Sequence, residues 1–255
     1  MNPIAHNQTL YIDAGNSVLK AAMRSGKSWR MVAKMSRHSE SENPLPNLLK
    51  QASTLAGTNP NHVVLASVRD PEWTARFARN CPVEIKVLRS TLIPAGYIRY
   101  KTVATCGVDR YLTCLGGWLA SGRRAVIVTD AGTACTVDLM NAQGVFLGGV
   151  IMPGLQMMRM VPGEGAAGLY EVPVGLPEGW PPDSTTAALQ AGSTGSWIHA
   201  LQGHVQRHLQ LEPDARLWLT GGDARVVNAM STYTWQTSPW LLFDGMHHWV
   251  SSADR

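Results

Sequence analysis

The stretch AVIVTDAGTACTVDLMNAQGVFLGGVIMPG, residues 125–154, sets the architecture of this chain. It opens with the apolar run Ala125–Val128, which is typical of a strand buried on both faces. This strand ends at an acid and a turn, DAGT at residues 130–133, after which apolar and polar residues alternate up to a hairpin turn at residues 141–144. A third strand is predicted to follow. The unit is therefore a strand, an acid–glycine turn and an antiparallel meander.

The same unit occurs near the start of the chain. Leu10–Ile12 leads into DAGNS at residues 13–17, and alternation continues to a Ser-Gly-Lys turn at residues 25–27. Two copies of Asp-Ala-Gly in matched strand–turn–strand settings indicate an internal duplication. After the first hairpin, predicted strands alternate with predicted helices, which favours parallel strands beside it. We therefore predict an α/β protein of two similar lobes, residues 1–120 and 121–255, with mixed sheets flanked by helices.

The acid–glycine turn has a specific chemistry. A glycine after the acid lets the backbone bend sharply and approach a ligand, so that its N–H groups point at phosphate oxygens. The acid does not bind phosphate directly, because like charges repel, and its role would be to hold a cation that neutralises the phosphates. Lys20 adds a positive charge within reach of the same phosphates. The alternative for a single copy is that an Asp-Gly turn merely ends a strand.

Six motifs span most of the chain, namely DAGNSVLK at 13–20, GVDR at 107–110, DAGTACTVDL at 130–139, GGVIMPG at 148–154, TTAALQAG at 185–192 and LTGGDA at 219–224. With these motifs in this order, the chain resembles the type III pantothenate kinases, members of the superfamily of acetate and sugar kinases, heat-shock chaperones and actin. The resemblance implies two ribonuclease-H-like lobes of the actin-like ATPase type, with a nucleotide cleft between them. It also implies ATP-dependent phosphorylation of pantothenate to 4′-phosphopantothenate, the first step of coenzyme A biosynthesis.

The resemblance further implies roles for individual residues. Asp109 of the G-x-D-R motif is the expected catalytic base in the first lobe. Asp13 and Asp130 are the expected metal ligands, serving ATP with Mg²⁺ and, at Asp130, a monovalent cation, K⁺ or NH₄⁺. The expected nucleotide-binding residues are Asp13, Gly15, Asn16, Ser17, Lys20, Thr133, Gly221 and Gly222, the last two forming an adenosine site in the second lobe. The expected pantothenate-binding residues are Tyr100, Gly107, Val108, Asp109, Arg110 and Thr185.

The counterpart of Thr185 in the family reaches in from the partner subunit, so the resemblance implies a homodimer. Considered without the family, several of these residues keep a second interpretation. A carboxylate at Asp109, near the start of a predicted helix, is typical of a helix cap. Arg110 either binds substrate or pairs structurally, and Gly221–Gly222 either approaches the planar adenine ring or forms a tight packing turn. The chain departs from the usual family pattern at Ile98–Arg99 and at Cys106.

Composition narrows the function classes. The 255 residues carry a formal charge of +4, with a sequence pI near 9.0 and with scattered Lys and Arg, a balance that suits anionic small molecules and does not favour nucleic acid. No run of 18 apolar residues and no signal-peptide pattern is present, so we expect a soluble, cytoplasmic protein with no membrane partner. The four cysteines lack paired spacing, which predicts reduced thiols rather than disulfides or zinc.

Three other functions remain open at this point. The first is a non-catalytic, nucleotide-binding accessory factor in gene regulation, and the second is a sugar kinase of the same fold. The third is a nucleotide-driven conformational switch like the chaperone ATPases. We also expect the Gly- and Pro-rich residues 156–183 to form a long loop, followed by a helix that begins near Ser184.

Overall fold

The computed structural model describes residues 8–39 and 43–253. The segment at residues 38–46, rich in Ser, Glu, Asn and Pro, has the composition of a loop, and its residues 40–42 lie outside the described residues. By their contacts, the residues form two compact units. The first unit comprises residues 1–119 together with 240–255, and the second comprises residues 120–239.

The described helices and strands follow in chain order. They are β1 Thr9–Ala14, β2 Val18–Ser25, β3 Ser28–Ser36, α1 Leu45–Ala56, β4 His62–Ser67, α2 Pro71–Arg79, β5 Glu84–Leu88, α3 Val108–Ala120, β6 Val126–Ala131, β7 Ala134–Met140, β8 Phe146–Pro153, α4 Leu155–Gly165, α5 Thr185–Gln190, α6 Ser196–Leu211, β9 Arg216–Thr220, α7 Ala224–Met230, β10 Gln236–Thr237 and α8 Leu241–Ala253. A π-helical turn, Ala191–Gly195, joins α5 to α6. Among the residues that the structure describes, no helix is both long and apolar enough to cross a membrane.

Each unit contains one five-stranded mixed sheet, and the two sheets have the same topology. The first sheet has the order β3-β2-β1-β4-β5 and the second the order β8-β7-β6-β9-β10. In each sheet, three antiparallel strands form the predicted meander. A fourth strand pairs in parallel with the first strand of the meander, and a fifth pairs in parallel with the fourth. The prediction of two similar α/β lobes with mixed sheets is therefore confirmed.

The first strand of each meander is buried because it lies in the middle of its sheet and carries apolar side chains on both faces. All six residues of β1 are buried, as are all residues of β6 except Asp130. Asp13 and Asp130 occupy the last position but one of β1 and β6, and each lies between an antiparallel and a parallel neighbour. The fold therefore places the two acids at equivalent strand ends.

The C-terminal helix α8 belongs with the first unit, whereas the predicted lobe boundary assigned it to the second. Its packing against α3 gives the physical reason for this correction. A Cβ atom at Gly116 of α3 would overlap the backbone of Leu241, and one at Gly245 of α8 would overlap the backbone of Leu112. Two helices approach so closely only where a glycine removes the side chain. These contacts are long-range in sequence, so no local pattern indicates them.

Residues 156–183 were predicted as one long loop, and this prediction is wrong for its first part, which continues α4 from Leu155. The side chain of Arg159 holds the helix to the segment that follows. Its Nε donates to the carbonyl of Val172 at 2.7 Å, and its guanidinium lies 2.8 Å from a carboxylate oxygen of Glu171. The predicted helix after Ser184 is confirmed, and the Ser184 hydroxyl accepts a bond from the N–H of Ala187 at its N-terminus.

Candidate active site

The turn after β1 presents a buried carboxylate beside a lysine. Asp13 and Lys20 are register partners across the β1–β2 hairpin, and Lys20 Nζ lies 3.5 Å from Asp13 Oδ2. Asp13 is 7% exposed. The hairpin is tight, because the N–H of Gly15 donates to the carbonyl of Val18 at 3.1 Å, and a Cβ atom at Gly15 would come within 3.0 Å of that oxygen. Asn16 is exposed and Ser17 half-buried at the tip.

Opposing effects set the charge state of Asp13. Burial raises the pKa of this carboxyl group, whereas the positive charges of Lys20 and Arg69 lower it. The two cations thus favour a carboxylate in a site where desolvation disfavours one. The turn therefore carries a negative carboxylate and two positive side chains. A phosphate group with a bound metal ion also carries both signs of charge, so the two are complementary.

Arg69 was not among the predicted site residues, although it contacts the first turn directly. It lies two residues beyond the end of β4, which runs parallel to β1, and its Nε donates to the carbonyl of Gly15 at 2.9 Å. Its guanidinium lies over the ring of Trp73, 4.5 Å from the centroid. The signal in the sequence is a charged residue at the carboxyl end of a buried parallel strand, where ligand-contacting residues of α/β sheets concentrate.

The G-x-D-R motif lies at the N-terminus of α3. Asp109 is in the first turn, and its Oδ1 accepts a bond from the backbone N–H of Arg110 at 2.8 Å. The carboxylate also lies against the backbone of Gly107, where a Cβ atom would overlap it. The glycine of the motif is therefore required for the position of the acid. Asp109 remains half-buried, so its carboxylate is both fixed by the helix terminus and accessible.

The structure brings Tyr100 and Arg110 together. Arg110 is 7% exposed, and its guanidinium lies 5.9 Å from the centroid of the Tyr100 ring. Val108 is 4% exposed and belongs to the apolar interior, so only its backbone is available to a ligand. Both interpretations of Arg110, substrate binding and structural pairing, agree with this geometry. Tyr100, which was predicted to bind substrate, thus lies next to the G-x-D-R motif at the start of α3.

In the second unit, three glycine-containing motifs meet at the end of β6. A Cβ atom at Gly221 would overlap the backbone of Ala131, and one at Gly154 would overlap the carbonyl groups of Gly132 and Thr133. Backbone bonds fix both contacts. The N–H of Asp223 donates to the carbonyl of Ala131 at 2.9 Å, and the N–H of Gly154 donates to that of Thr133 at 3.0 Å.

The predicted Asp130 turn and the predicted Gly221–Gly222 turn are therefore neighbours. Gly221 has φ +99° and lies against the Asp130 turn. A Cβ atom at Gly222, in contrast, would have open space around it. Thr133 and Gly222 are exposed, and Asp130 is half-buried. The exposed backbone of the two turns is thus available to a ligand of the second unit, as the predicted adenosine and phosphate roles require.

Acidic groups surround the buried thiol of Cys135. Burial, with smaller contributions from the nearby carboxylates of Asp130, Asp223 and Asp138, raises the pKa of this thiol to about 12. The thiol stays neutral at physiological pH and is not a nucleophile. Burial also raises the pKa of Asp223, against the lowering effect of Arg159. The described cysteines are all free.

Thr185 stands at the N-terminus of α5. It is the first residue of α5, it is exposed, and its hydroxyl makes no hydrogen bond with any described residue. The neighbouring Thr186 hydroxyl lies 2.9 Å from that of Tyr170. Its side chain is therefore available to another molecule.

The donor set bears on which ions the chain holds. Within residues 8–39 and 43–253, no group of three or more His, Cys, Asp or Glu side chains forms a metal cage. Single carboxylates at Asp13 and Asp130 are present instead. Mg²⁺ is commonly bound through one or two carboxylates together with substrate phosphates and water, so these residues fit magnesium that arrives with a nucleotide rather than a resident ion.

Comparisons with known proteins agree with this geometry. A family model described as type III pantothenate kinase matches residues 9–207. A type III pantothenate kinase from Halorhodospira halophila is 30% identical over an alignment that covers 96% of this chain and 99% of its own.

Solved structures show the same fold at low identity. A structure named for the Baf family of transcriptional activators, from Campylobacter jejuni, has a TM-score of 0.60 at 18% identity and covers 96% of this chain and 98% of its own. The activator of 2-hydroxyisocaproyl-CoA dehydratase from Clostridium difficile, solved with bound ADPNP, has a TM-score of 0.53 at 10% identity. The alignment covers 96% of this chain and 94% of the activator chain. The predicted actin-like ATPase fold is confirmed.

Proposed function

The chain belongs to the type III pantothenate kinase family, and from this premise we propose that it transfers the γ-phosphoryl group of ATP to the terminal hydroxyl of pantothenate. The product would be 4′-phosphopantothenate, the first intermediate on the route to coenzyme A. The observation that carries the proposal is the placement of three aspartates by the fold. Asp13 and Asp130 stand at equivalent strand ends, and Asp109 stands against Gly107 at the start of α3.

Phosphoryl transfer requires a protein mainly to position two reactants and to neutralise charge. In this proposal the turns at Asp13 and Asp130 hold the phosphates of ATP, and Lys20 contributes a positive charge. Magnesium, bound with the nucleotide, would neutralise the phosphate oxygens, and Asp13 and Asp130 are the residues that would hold it. The adenosine would lie on the exposed backbone near Gly222.

Asp109 accepts the proton of the pantothenate hydroxyl in this mechanism. Its carboxylate is held by the N–H of Arg110, so it is oriented before the substrate binds. A general base in this position typically contributes a factor of about 10²–10⁴ to turnover. Tyr100, Gly107, Val108 and Arg110 would bind the remaining polar groups of pantothenate, with Val108 acting through its backbone.

Two finer features belong to the same proposal. Asp130 would also ligate a monovalent cation, K⁺ or NH₄⁺, because it is a half-buried carboxylate at a strand end. The active form would be a homodimer in which Thr185 reaches the partner's site. The segment around α4 supports an interface, since it carries exposed large apolar side chains, namely Met157, Met160, Val161, Leu169, Tyr170, Val174, Leu176 and Trp180. We place the reaction in the cytoplasm, where free thiols such as those of this chain persist.

Product identification tests the proposal. The purified chain is incubated with ATP, Mg²⁺ and potassium, and with either pantothenate or a panel of hexoses as acceptor. We expect mass spectrometry and ³¹P NMR to detect phosphopantothenate and no sugar phosphate. A sugar phosphate without phosphopantothenate would identify a sugar kinase of the same fold, and nucleotide binding without any product would identify an accessory factor.

A further inference from the structure

A cavity of about 410 Å³ lies in the first unit, at the carboxyl ends of β4 and β5, next to residues 104–108. Ligands of open α/β sheets bind beyond the carboxyl ends of the strands, so its position is that of a binding site. Gly107 and Val108 form part of the wall. Asp109, the proposed catalytic base, follows these two residues in the chain, and its carboxylate lies against Gly107.

The lining has the chemistry of a site for an anion with an aliphatic body. Two arginines, Arg69 and Arg89, line the cavity, and none of its described lining residues is acidic. The remaining wall combines hydroxyl groups with apolar side chains, namely Ser67, Thr74, Ser90, Thr91, Thr105, Val68, Val87 and Leu88. Pantothenate carries a carboxylate, an amide, two hydroxyls and a dimethyl group, and this wall offers guanidinium, hydroxyl and apolar groups of matching chemistry.

The two arginines differ in how they are engaged. The Nε of Arg69 donates to the carbonyl of Gly15, so this side chain is tied to the phosphate turn. Arg89 follows β5 directly and is exposed, and its side chain forms no hydrogen bond or ion pair with the described residues. Ser90 is 5% exposed, and its hydroxyl also has no hydrogen-bond partner among them. The hydroxyl of Ser90 and the guanidinium of Arg89 therefore line the same end of the cavity.

The strand order gives the cavity a direction. β1, β4 and β5 are consecutive neighbours, with strands about 4.8 Å apart, so the turn at Asp13 and the end of β5 are separated by roughly 10 Å across the sheet. Arg69 lies in the middle and contacts the Asp13 turn, whereas Arg89 lies at the far side. An acceptor whose hydroxyl faced the phosphate turn would therefore extend its other end toward Arg89.

We propose that Arg89, together with the hydroxyl of Ser90, binds the carboxylate of pantothenate and thereby selects an acidic acceptor. This inference rests on the proposed pantothenate kinase activity and adds the residues that determine its specificity. A guanidinium pairs with a carboxylate in two parallel hydrogen bonds, which fixes the orientation of the chain as well as its charge. Arg89 touches the end of the substrate that does not react, so it contributes to binding rather than to the chemical step.

The test compares two acceptors that differ only at this end. Pantothenate is compared with panthenol, in which a hydroxymethyl group replaces the carboxylate, using the wild type, Arg89→Gln and Arg89→Lys. We expect Arg89→Gln to raise the KM for pantothenate by about 10- to 100-fold, the usual effect of losing a charged hydrogen bond, with kcat changed by less than about twofold. The KM of panthenol, or its inhibition constant where it is not phosphorylated, should not change. Arg89→Lys should restore part of the preference for pantothenate.

Arg76→Gln is the matched control, because Arg76 is an exposed arginine of α2 that does not line the cavity. It should leave both KM values unchanged, and thermal unfolding should show that all variants are folded. An unchanged KM for pantothenate in Arg89→Gln, or equal increases for both acceptors, would overturn the assignment of Arg89 while leaving the kinase activity intact. A wild type that phosphorylates neither acceptor would instead refute the proposed function on which this inference rests.

Discussion

At the scale of single residues, the central question is what Asp109 does. Its carboxylate accepts a hydrogen bond from the backbone N–H of Arg110, which is the geometry of a local helix cap. It is also half-buried against Gly107, so the residue is partly exposed to solvent. An isosteric substitution separates the two roles, since asparagine keeps the hydrogen-bond acceptor and removes the base.

We predict that Asp109→Asn leaves ATP binding nearly unchanged and lowers kcat by at least about a hundredfold. The reason is that the amide accepts the N–H of Arg110 but does not accept a proton from the substrate hydroxyl. Calorimetry with an ATP analogue measures binding, and steady-state kinetics measure turnover. A variant that retains most of the activity would remove Asp109 from the mechanism.

A second prediction concerns the glycine that joins two turns of the second unit. We expect Gly221→Ala to lower the free energy of unfolding by about 1–3 kcal/mol, because this residue has φ +99° and a Cβ atom would overlap the backbone of Ala131. Gly222→Ala is the matched control, since its Cβ atom would meet nothing within 4 Å. Urea unfolding measures both, and equal stability of the two variants would contradict the close approach of these turns.

At the scale of elements, the first unit depends on a glycine-mediated contact between α3 and α8. Gly245→Ala would gain about 1 kcal/mol from helix propensity, but the new methyl group would overlap the backbone of Leu112. We therefore expect a net loss of about 2 kcal/mol or more in the free energy of unfolding. Gly203→Ala in α6 is the control, because no atom lies within 4 Å of its Cβ position, and it should stabilise the protein. A stabilised Gly245→Ala variant would refute the packing of α8 on α3.

The elements also show where sequence patterns succeed and fail. Both acid–glycine turns were predictable, because the buried strand, the turn and the hairpin are local features that occur twice. Helix α4 was missed because Gly163, Gly165 and Pro162 lower its helix propensity, while its connection to Val172 depends on the side chain of Arg159. The place of α8 and the contact of Arg69 with Gly15 depend on residues distant in sequence, which no window of the sequence reveals.

At the scale of the whole molecule, a dimer with shared sites makes a prediction about mixtures. Asp109→Asn and Thr185→Ala are each expected to have little activity. When the two variants are unfolded together and refolded, about half of the dimers should contain one copy of each, and each mixed dimer would have one intact site. We therefore expect the mixture to recover about a quarter of wild-type activity. Gel filtration verifies the dimer, and a mixture no more active than its components would show that Thr185 does not reach a partner's site.

The most direct measurement of the central claim is the release of ADP from ATP and Mg²⁺, with and without pantothenate, in potassium, ammonium and sodium buffers. We predict release that requires pantothenate, because Asp109 needs the hydroxyl of an acceptor, and that is faster in potassium or ammonium than in sodium, because of the proposed cation site at Asp130. Equal release without pantothenate would contradict the kinase assignment and would identify a nucleotide-driven switch. Absence of release while nucleotide still binds would contradict it as well and would identify a non-catalytic member of the family.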